Sequence, residues 1–343
     1  MKNKSRVTIL ANSLFILAIL AVASYLVSHS LKKVISELFK TSPILLFMLL
    51  LLGVGYQLIE GLLLKKMIQP QHPTFRLIDG FFASCYAAFY RVVTFGAGTI
   101  LSEISFYHQK GVPYTESVGF TSLRLTIYKL SVALMAFIAL FMQIPYFLAH
   151  QQIRVLIYIL IGCFVTFGIA ALLLALALSI HLQSWLMTLA NRFIQKPIRR
   201  ARIDQFNLNI YALRIVIKNV LFDYQTCGRL FAISLLKFSC WFSIPVLYFW
   251  WTATPISLVL VLTFIIFATV LAGILPAPAG IGSFEFVYLL LFQPLVGTTS
   301  AVSSMLLYRF ATYVLPFLLG FCYVLGQKRQ AILTELKEIK KNS

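Results

Sequence analysis

Two glutamates in this chain each follow a glycine-rich break in an otherwise apolar stretch. The first stretch reads "FGAGTILSE" (95–103) and the second "APAGIGSFE" (277–285). In both, an Ala-Gly pair lies ahead of the acid: Gly98 precedes Glu103 and Gly280 precedes Glu285 at the same distance. An arginine follows each glutamate inside the next apolar segment, Arg124 after 21 residues and Arg309 after 24. Aligned on the arginines, "TSLRLTIYKL" and "LLYRFATYVL" also share a tyrosine (Tyr128, Tyr313) and a leucine (Leu130, Leu315). An ionised acid inside a membrane span is costly unless paired or hydrated. A guanidinium stays charged and grips phosphate bidentately. The pattern therefore fits two chemistries. Either each Glu–Arg set is a fixed ion pair, or Arg124 and Arg309 hold an anionic head group while Glu103 and Glu285 meet an amine or carry a proton. Gly96, Gly98, Gly280 and Gly282 let the backbone bend and approach a ligand, and helix N-termini after such breaks bind anions. The same glycines would also serve close helix packing. Pro276 and Pro278 shape the second break.

The elements that must hold these residues are membrane helices. Of 343 residues, 60% are hydrophobic and 11% charged, a balance that excludes a soluble domain. The apolar runs are long and lack the alternation of an outer-membrane barrel, so the fold class is an all-α polytopic membrane protein. Spans are expected at 7–28, 43–64, 77–93, 118–142, 154–180, 229–251, 255–275 and 300–325, about eight in all. Two shorter pieces, 98–108 and 281–293, follow the breaks. A crossing takes about 20 residues, so these pieces read as halves of re-entrant hairpins or as short tilted crossings. The N-terminus has a basic start and an Ala21-Val22-Ala23 sequence like a signal-peptidase site, but its apolar run continues to Val27 and reads as an uncleaved first helix.

Charge placement gives the orientation. With the N-terminus inside, 20 of the 29 lysines and arginines fall on the cytoplasmic side and four outside. The remaining five, Arg91, Arg124, Lys129, Lys237 and Arg309, lie within apolar spans. The formal net charge of +19 is thus a topology signal, and no nucleic-acid partner is expected. Lys129 and Lys237 are expected to snorkel, Glu60 to pair with Lys65 or the interface, Asp79 to be a helix-end residue, and Arg91 to be a weaker site candidate. The loop 182–228 carries "KPIRRAR" and then a segment with near-helical apolar spacing, which reads either as an amphipathic surface element or as a solvated basic loop. The basic tail 326–343 is a short helix candidate. Five scattered cysteines form no C-x-x-C pair, and there is no metal or nucleotide motif, so no cofactor is expected.

The first hairpin, 77–109, starts and ends inside by this charge count, and the second, 255–293, starts and ends outside. The halves 77–142 and 255–325 therefore read as an inverted-topology repeat within a single membrane domain, 1–343. In transporters of that design the site lies where broken helix ends meet near the midplane.

"LPAPAGIGSFEFVYLLLF" followed by "SMLLYRFATYVLPFLLG" resembles the lysylphosphatidylglycerol synthase/flippase membrane-region family. The matching positions are Leu275, Pro276, Gly280, Gly282, Glu285, Tyr308, Arg309, Pro316 and Gly320; where the family commonly has two successive glycines, the first is Ala279 here. The first half carries a weaker form of the pattern, and the likeness covers roughly 43–326. The resemblance implies translocation of a phosphate-bearing lipid, aminoacylated or glycosylated, across a bacterial cytoplasmic membrane. In that reading Arg309, Arg124, Glu285, Glu103, the four glycines and Tyr308 are lipid-binding. It also implies membrane lipids with anionic or zwitterionic head groups as partners, with a separate lipid-modifying enzyme beside them, and a role in resistance to cationic antimicrobial peptides. The best-known members add a soluble acyltransferase domain. The sequence stops at Ser343, so that domain, and with it enzymatic activity, is not expected. An aminoacyl-lipid synthase or an accessory scaffold for an envelope glycosyltransferase are the alternatives.

Overall fold

The computed structural model describes residues 32–151, 153–179, 184–185, 188, 214, 223–275 and 282–341. Among these residues there are helices and no strand. In chain order they are α1 (Lys32–Lys40), α2 (Pro43–Ile68), α3 (Leu77–Val93), α4 (Thr99–Gln109), α5 (Tyr114–Ala149), α6 (Ile153–Leu178), α7 (Tyr224–Trp251), α8 (Leu258–Ala272), α9 (Ser283–Arg309), a π-helical turn (Phe310–Val314) and α10 (Leu315–Lys341). Five helical runs are long and apolar enough to cross a membrane: Pro43–Ile68, Tyr114–Ala149, Ile153–Ala175, Tyr224–Trp251 and Ser283–Gln330. α8 is equally apolar but shorter. Phe141, Tyr158, Phe164 and Trp250 face outward and exposed, as side chains that meet lipid rather than water do. The chain is an all-helical multi-pass membrane protein.

Each expected segment from 43 onward coincides with a helix, including the short pieces after the breaks. Gly297, at φ 78° and ψ 164°, divides α9 and keeps the piece after the second break separate from the segment carrying Arg309. α10 runs on through the tail to Lys341. The expected first span, 7–28, and nearly all of the 182–228 loop lie outside the described residues.

Two contacts bring the site elements together. α2 and α7 lie antiparallel, with Glu60 opposite Lys237 and the rings of Tyr56 and Trp241 stacked 3.8 Å apart. α2 and α3 cross at a pair of glycines: a Cβ on Gly80 would sit 2.5 Å from the Gly61 carbonyl oxygen. No side chain fits there, and the close backbone approach carries α3 against the polar face of α2. Ser84 on α3 then donates to the Gln57 side chain on α2 at 2.6 Å.

The buried apolar residues form two clusters. One joins the second hairpin, α8 and α9, to α6, α7 and the C-terminal half of α5. The other joins the first hairpin, α3 and α4, to the ends of α2, α5 and α10. Glu103 and Arg124 have sequence neighbours in the second of these clusters, and Glu285 and Arg309 in the first.

Candidate functional site

The first break places Glu103. After α3 the Thr94 hydroxyl donates to the Tyr90 carbonyl and accepts the Gly98 N–H at 2.7 Å, closing the turn. Phe95 and Gly96 have φ of 51° and 93°, left-handed backbone that reverses the chain into α4. Glu103 arrives on the inner face of α4 and is 2% exposed. Arg124 on α5 meets it with two donors, Nε to Oε1 at 2.6 Å and Nη2 to Oε2, and the Tyr107 hydroxyl donates to Oε1 at 2.6 Å.

Arg124 has a second carboxylate partner. Its Nη1 donates to Glu60 Oε1 at 3.1 Å, and Glu60 Oε2 accepts from Lys237 Nζ at 2.7 Å. Glu103, Arg124, Glu60 and Lys237 therefore form an alternating chain of charges across α4, α5, α2 and α7. The chain is neutral overall, which is how ionised groups persist in a low-dielectric interior. Two expectations are corrected here. Glu60 does not pair with Lys65, and Lys237 does not snorkel. Lys237 is completely buried, with the rings of Tyr56, Tyr128 and Phe238 around its ammonium at 5.6, 5.6 and 4.9 Å. Its position on α7 points it at Glu60, which offers a better partner than a distant interface.

The second break places Glu285. Gly282 has φ 88°, and its N–H donates to Glu285 Oε2 at 2.8 Å, so the acid caps the start of α9. Arg309 meets the same carboxylate, Nε to Oε1 at 2.7 Å and Nη2 to Oε2 at 2.8 Å. Its guanidinium also lies over the Phe284 ring at 4.6 Å. The two glutamate–arginine sets matched in the sequence are both ion pairs. They differ in setting: side-chain exposure is 2% for Glu103 but 29% for Glu285. The π-helical turn begins at the residue after Arg309, a distortion often found where a helix carries function.

Between the two hairpins lies a cavity of about 450 Å³ whose wall mixes apolar side chains with several polar and charged ones. The first hairpin contributes Arg91, Gly96 and Thr99 to its wall, and the second contributes Thr269, Ser283 and Arg309. Glu60 and Arg124 also line it. Of the residues expected to bind lipid, Arg124, Arg309, Gly96 and Tyr308 reach the cavity, and so does Arg91, the weaker candidate. Glu103 and Glu285 are bound to its arginines without lining it, and Gly98 and Gly282 belong to the turns. Gly280 lies outside the described residues. Asp79 is a helix-end residue: it accepts the Arg76 N–H and pairs with Lys110 at 2.6 Å.

Sequence reasoning did not place Gln57, Glu60, Ser84 or Trp241 in the site, yet all four line the cavity. A signal for two of them was present. Gln57 and Glu60 are three residues apart inside an apolar run, and so share one helix face. Among the described residues no cluster of His, Cys, Asp and Glu suits a metal ion.

No individually curated protein shows significant similarity to the chain. Residues 9–320, however, match the family described as lysylphosphatidylglycerol synthase TM region, a membrane family linked to lipid modification or flipping, and the chain belongs to that family.

Proposed function

We propose that the protein translocates a lipid with a phosphate-bearing head group between the leaflets of the cytoplasmic membrane, with both chain termini on the cytoplasmic side. The observation that carries this reading is the cavity between two broken hairpins, with an arginine from each half on its wall. A water-tolerant chamber at the meeting point of helix breaks is what a head group needs to cross hydrocarbon. The sequence match between the halves and the equivalent ion pairs support an inverted repeat. Rocking of one half against the other would then open the chamber to each leaflet in turn.

The two arginines serve differently. Arg124 is held by two carboxylates and acts as a fixed positive wall. Among the described residues the carboxylate that Arg309 meets is that of Glu285, which is partly exposed. A lipid phosphate can take the place of Glu285 on Arg309 without leaving a fully buried carboxylate behind.

The test is translocation of head-group-labelled phosphatidylglycerol in proteoliposomes, read by quenching with a membrane-impermeant reductant. Wild-type protein is expected to expose the inner-leaflet label. Arg309→Ala and Glu285→Ala are expected to slow exposure about tenfold to a hundredfold, the effect of losing one charge-assisted hydrogen bond. If the wild type moves none of a panel of phosphate lipids, the reading is wrong. If both variants move them at the wild-type rate, the site is misplaced.

A further inference from the structure

The cavity contains more than the paired residues, and its remaining polar groups share one property. Arg91, on the last turn of α3, lines the cavity and has no carboxylate partner among the described residues. Three further side-chain atoms that are buried and unpartnered belong to residues lining the same space: Trp241 Nε1, Ser283 Oγ and Tyr313 Oη. With Arg91 they come from four separate segments, namely α3, α7, the first turn of α9 and the π-helical turn. A buried polar atom without a partner is costly, and native structures contain few. Three in one cavity, beside an arginine without a counter-ion, describe a site whose missing partner is a ligand.

The inventory of donors and acceptors specifies that ligand. Guanidinium and indole N–H groups only donate, and Ser283 and Tyr313 each offer one further hydrogen. The carboxylates around the cavity are already engaged. Glu60 accepts from Arg124 and Lys237, Glu103 from Arg124 and Tyr107, and Glu285 from Arg309 and the Gly282 N–H. The unmet capacity is therefore mostly donor capacity. The charge agrees: these three carboxylates face Arg124, Lys237, Arg309 and Arg91, which leaves one positive charge over, that of Arg91. An acceptor-rich monoanion completes both accounts. A phosphodiester is such a group. An ammonium group on the same head would bring donors to a site with no free carboxylate.

We propose that Arg91, Trp241, Ser283 and Tyr313 form a phosphate cradle, and that the cradle selects lipids whose phosphodiester is the only charge on the head group over zwitterionic or cationic ones. The cradle rests on the translocation reading for its purpose, but its selectivity is a binding property that can be measured without transport.

The test uses the full chain in nanodiscs of uncharged lipid analogue. Fluorescent phosphatidylglycerol is displaced by unlabelled phosphatidylglycerol, phosphatidylethanolamine, lysylphosphatidylglycerol or inorganic phosphate. Wild-type protein is expected to prefer phosphatidylglycerol to each of the two ammonium-bearing lipids by about tenfold or more, one charge-assisted bond's worth. Arg91→Gln is expected to bring that preference to within about twofold, and Arg91→Lys to keep part of it. Trp241→Phe retains a ring to stack on Tyr56 but loses a donor to the phosphodiester that all three lipids carry, so it should weaken each of them and leave their ranking unchanged. Equal wild-type affinity for all three lipids, or an unchanged preference in Arg91→Gln, overturns the cradle. A parallel loss for every lipid in Arg91→Gln assigns Arg91 to structure and also overturns it, as does Trp241→Phe with no loss for any lipid. Displacement by inorganic phosphate as effective as by lipid would make this a soluble-anion site and overturn the lipid assignment. Retained selectivity with no transport in proteoliposomes refutes translocation alone; transport with no selectivity refutes the cradle alone.

Discussion

Glu60→Gln is the most informative single change to the fold of the site. It removes one negative charge from the middle of the Glu103–Arg124–Glu60–Lys237 chain with almost no change in size. Arg124 keeps Glu103 through two bonds, so the group left without a carboxylate is Lys237, which is completely buried. Removing one partner of a buried ion pair costs about 3–5 kcal/mol. The rings of Tyr56, Tyr128 and Phe238 around the ammonium recover some of that, about 1 kcal/mol for cation–π contact. The expected net loss is roughly 2–4 kcal/mol, a change of about thirty- to a thousandfold in the unfolding equilibrium. Lys237→Met behaves differently. It removes the buried charge together with its desolvation cost and leaves Glu60 on Arg124, so its loss should be smaller. The double variant Glu60→Gln with Lys237→Met should regain at least half of the Glu60→Gln loss. Unfolding of the purified protein in mixed micelles with increasing denaturing detergent, followed by tryptophan fluorescence, measures all three. A Glu60→Gln loss below about 0.5 kcal/mol would refute the reasoning. So would a double variant less stable than Glu60→Gln alone.

Gly80→Ala should destabilise by at least about 1–3 kcal/mol, because its Cβ would fall 2.5 Å from the Gly61 carbonyl oxygen, and backbone must move to admit it; a lowered thermal midpoint with no change in oligomeric size checks this. Gly282→Ala should cost about 1–3 kcal/mol through its φ of 88° rather than through crowding, since a Cβ there meets nothing within 4 Å. A lowered thermal midpoint in Gly282→Ala checks this, and Gly282→Asn should do no better, because φ 88° with ψ −45° lies outside the left-handed helical basin that asparagine tolerates. Asp223 caps α7: it accepts from the Thr226 hydroxyl and from the N–H groups of Thr226 and Gln225, and these bonds, the hydroxyl first, hold its carboxyl below the usual carboxylate range. A lowered folded value means the capping contribution is present above the ordinary aspartate range and is lost as pH falls through the lowered one. The protection factors of the Gln225 and Thr226 amides, which divide out the intrinsic pH dependence of exchange, should fall at acid pH in the wild type and be low at all pH values in Asp223→Ala.

Much of this site could be read from spacing alone, and the reason is physical. In a chain that must be apolar to enter the membrane, each charge kept inside a span stands out, and each needs a partner. That is why Glu103, Arg124, Glu285 and Arg309 match as two sets by spacing and residue type. The breaks were legible for a similar reason, since a helix interrupted within hydrocarbon needs special residues, as Gly96 and Gly282 with their positive φ show. What spacing could not supply was partner choice across distant helices. Glu60 has Lys65 nearby in sequence, and local spacing favours that pair. The Gly61–Gly80 crossing and the α2–α7 seam instead bring Arg124 and Lys237, 64 and 177 residues away, to its two oxygens. The unpartnered donors were invisible for the same reason: nothing about Trp241, Ser283 or Tyr313 in sequence says that its hydrogen will go unmet.

The two matched pairs would play unequal parts in the proposed translocation. In the first, the glutamate is sealed, the arginine is shared with Glu60, and Tyr107 occupies a further lone pair on Glu103. Opening it would expose three charged groups to hydrocarbon at once. In the second, the glutamate is 29% exposed and engages one cation, and the backbone N–H that it also caps would keep it satisfied if that cation turned away. The cost of parting is thus much lower in the second half. A symmetric pair of clasps would hold a head group equally from both sides and give it no reason to move on. In the proposed translocation, one fixed clasp and one that yields would let the cavity bind at Arg91 and Arg309 and release as Glu285 returns to its arginine, with the Arg124 network as the frame against which that exchange takes place.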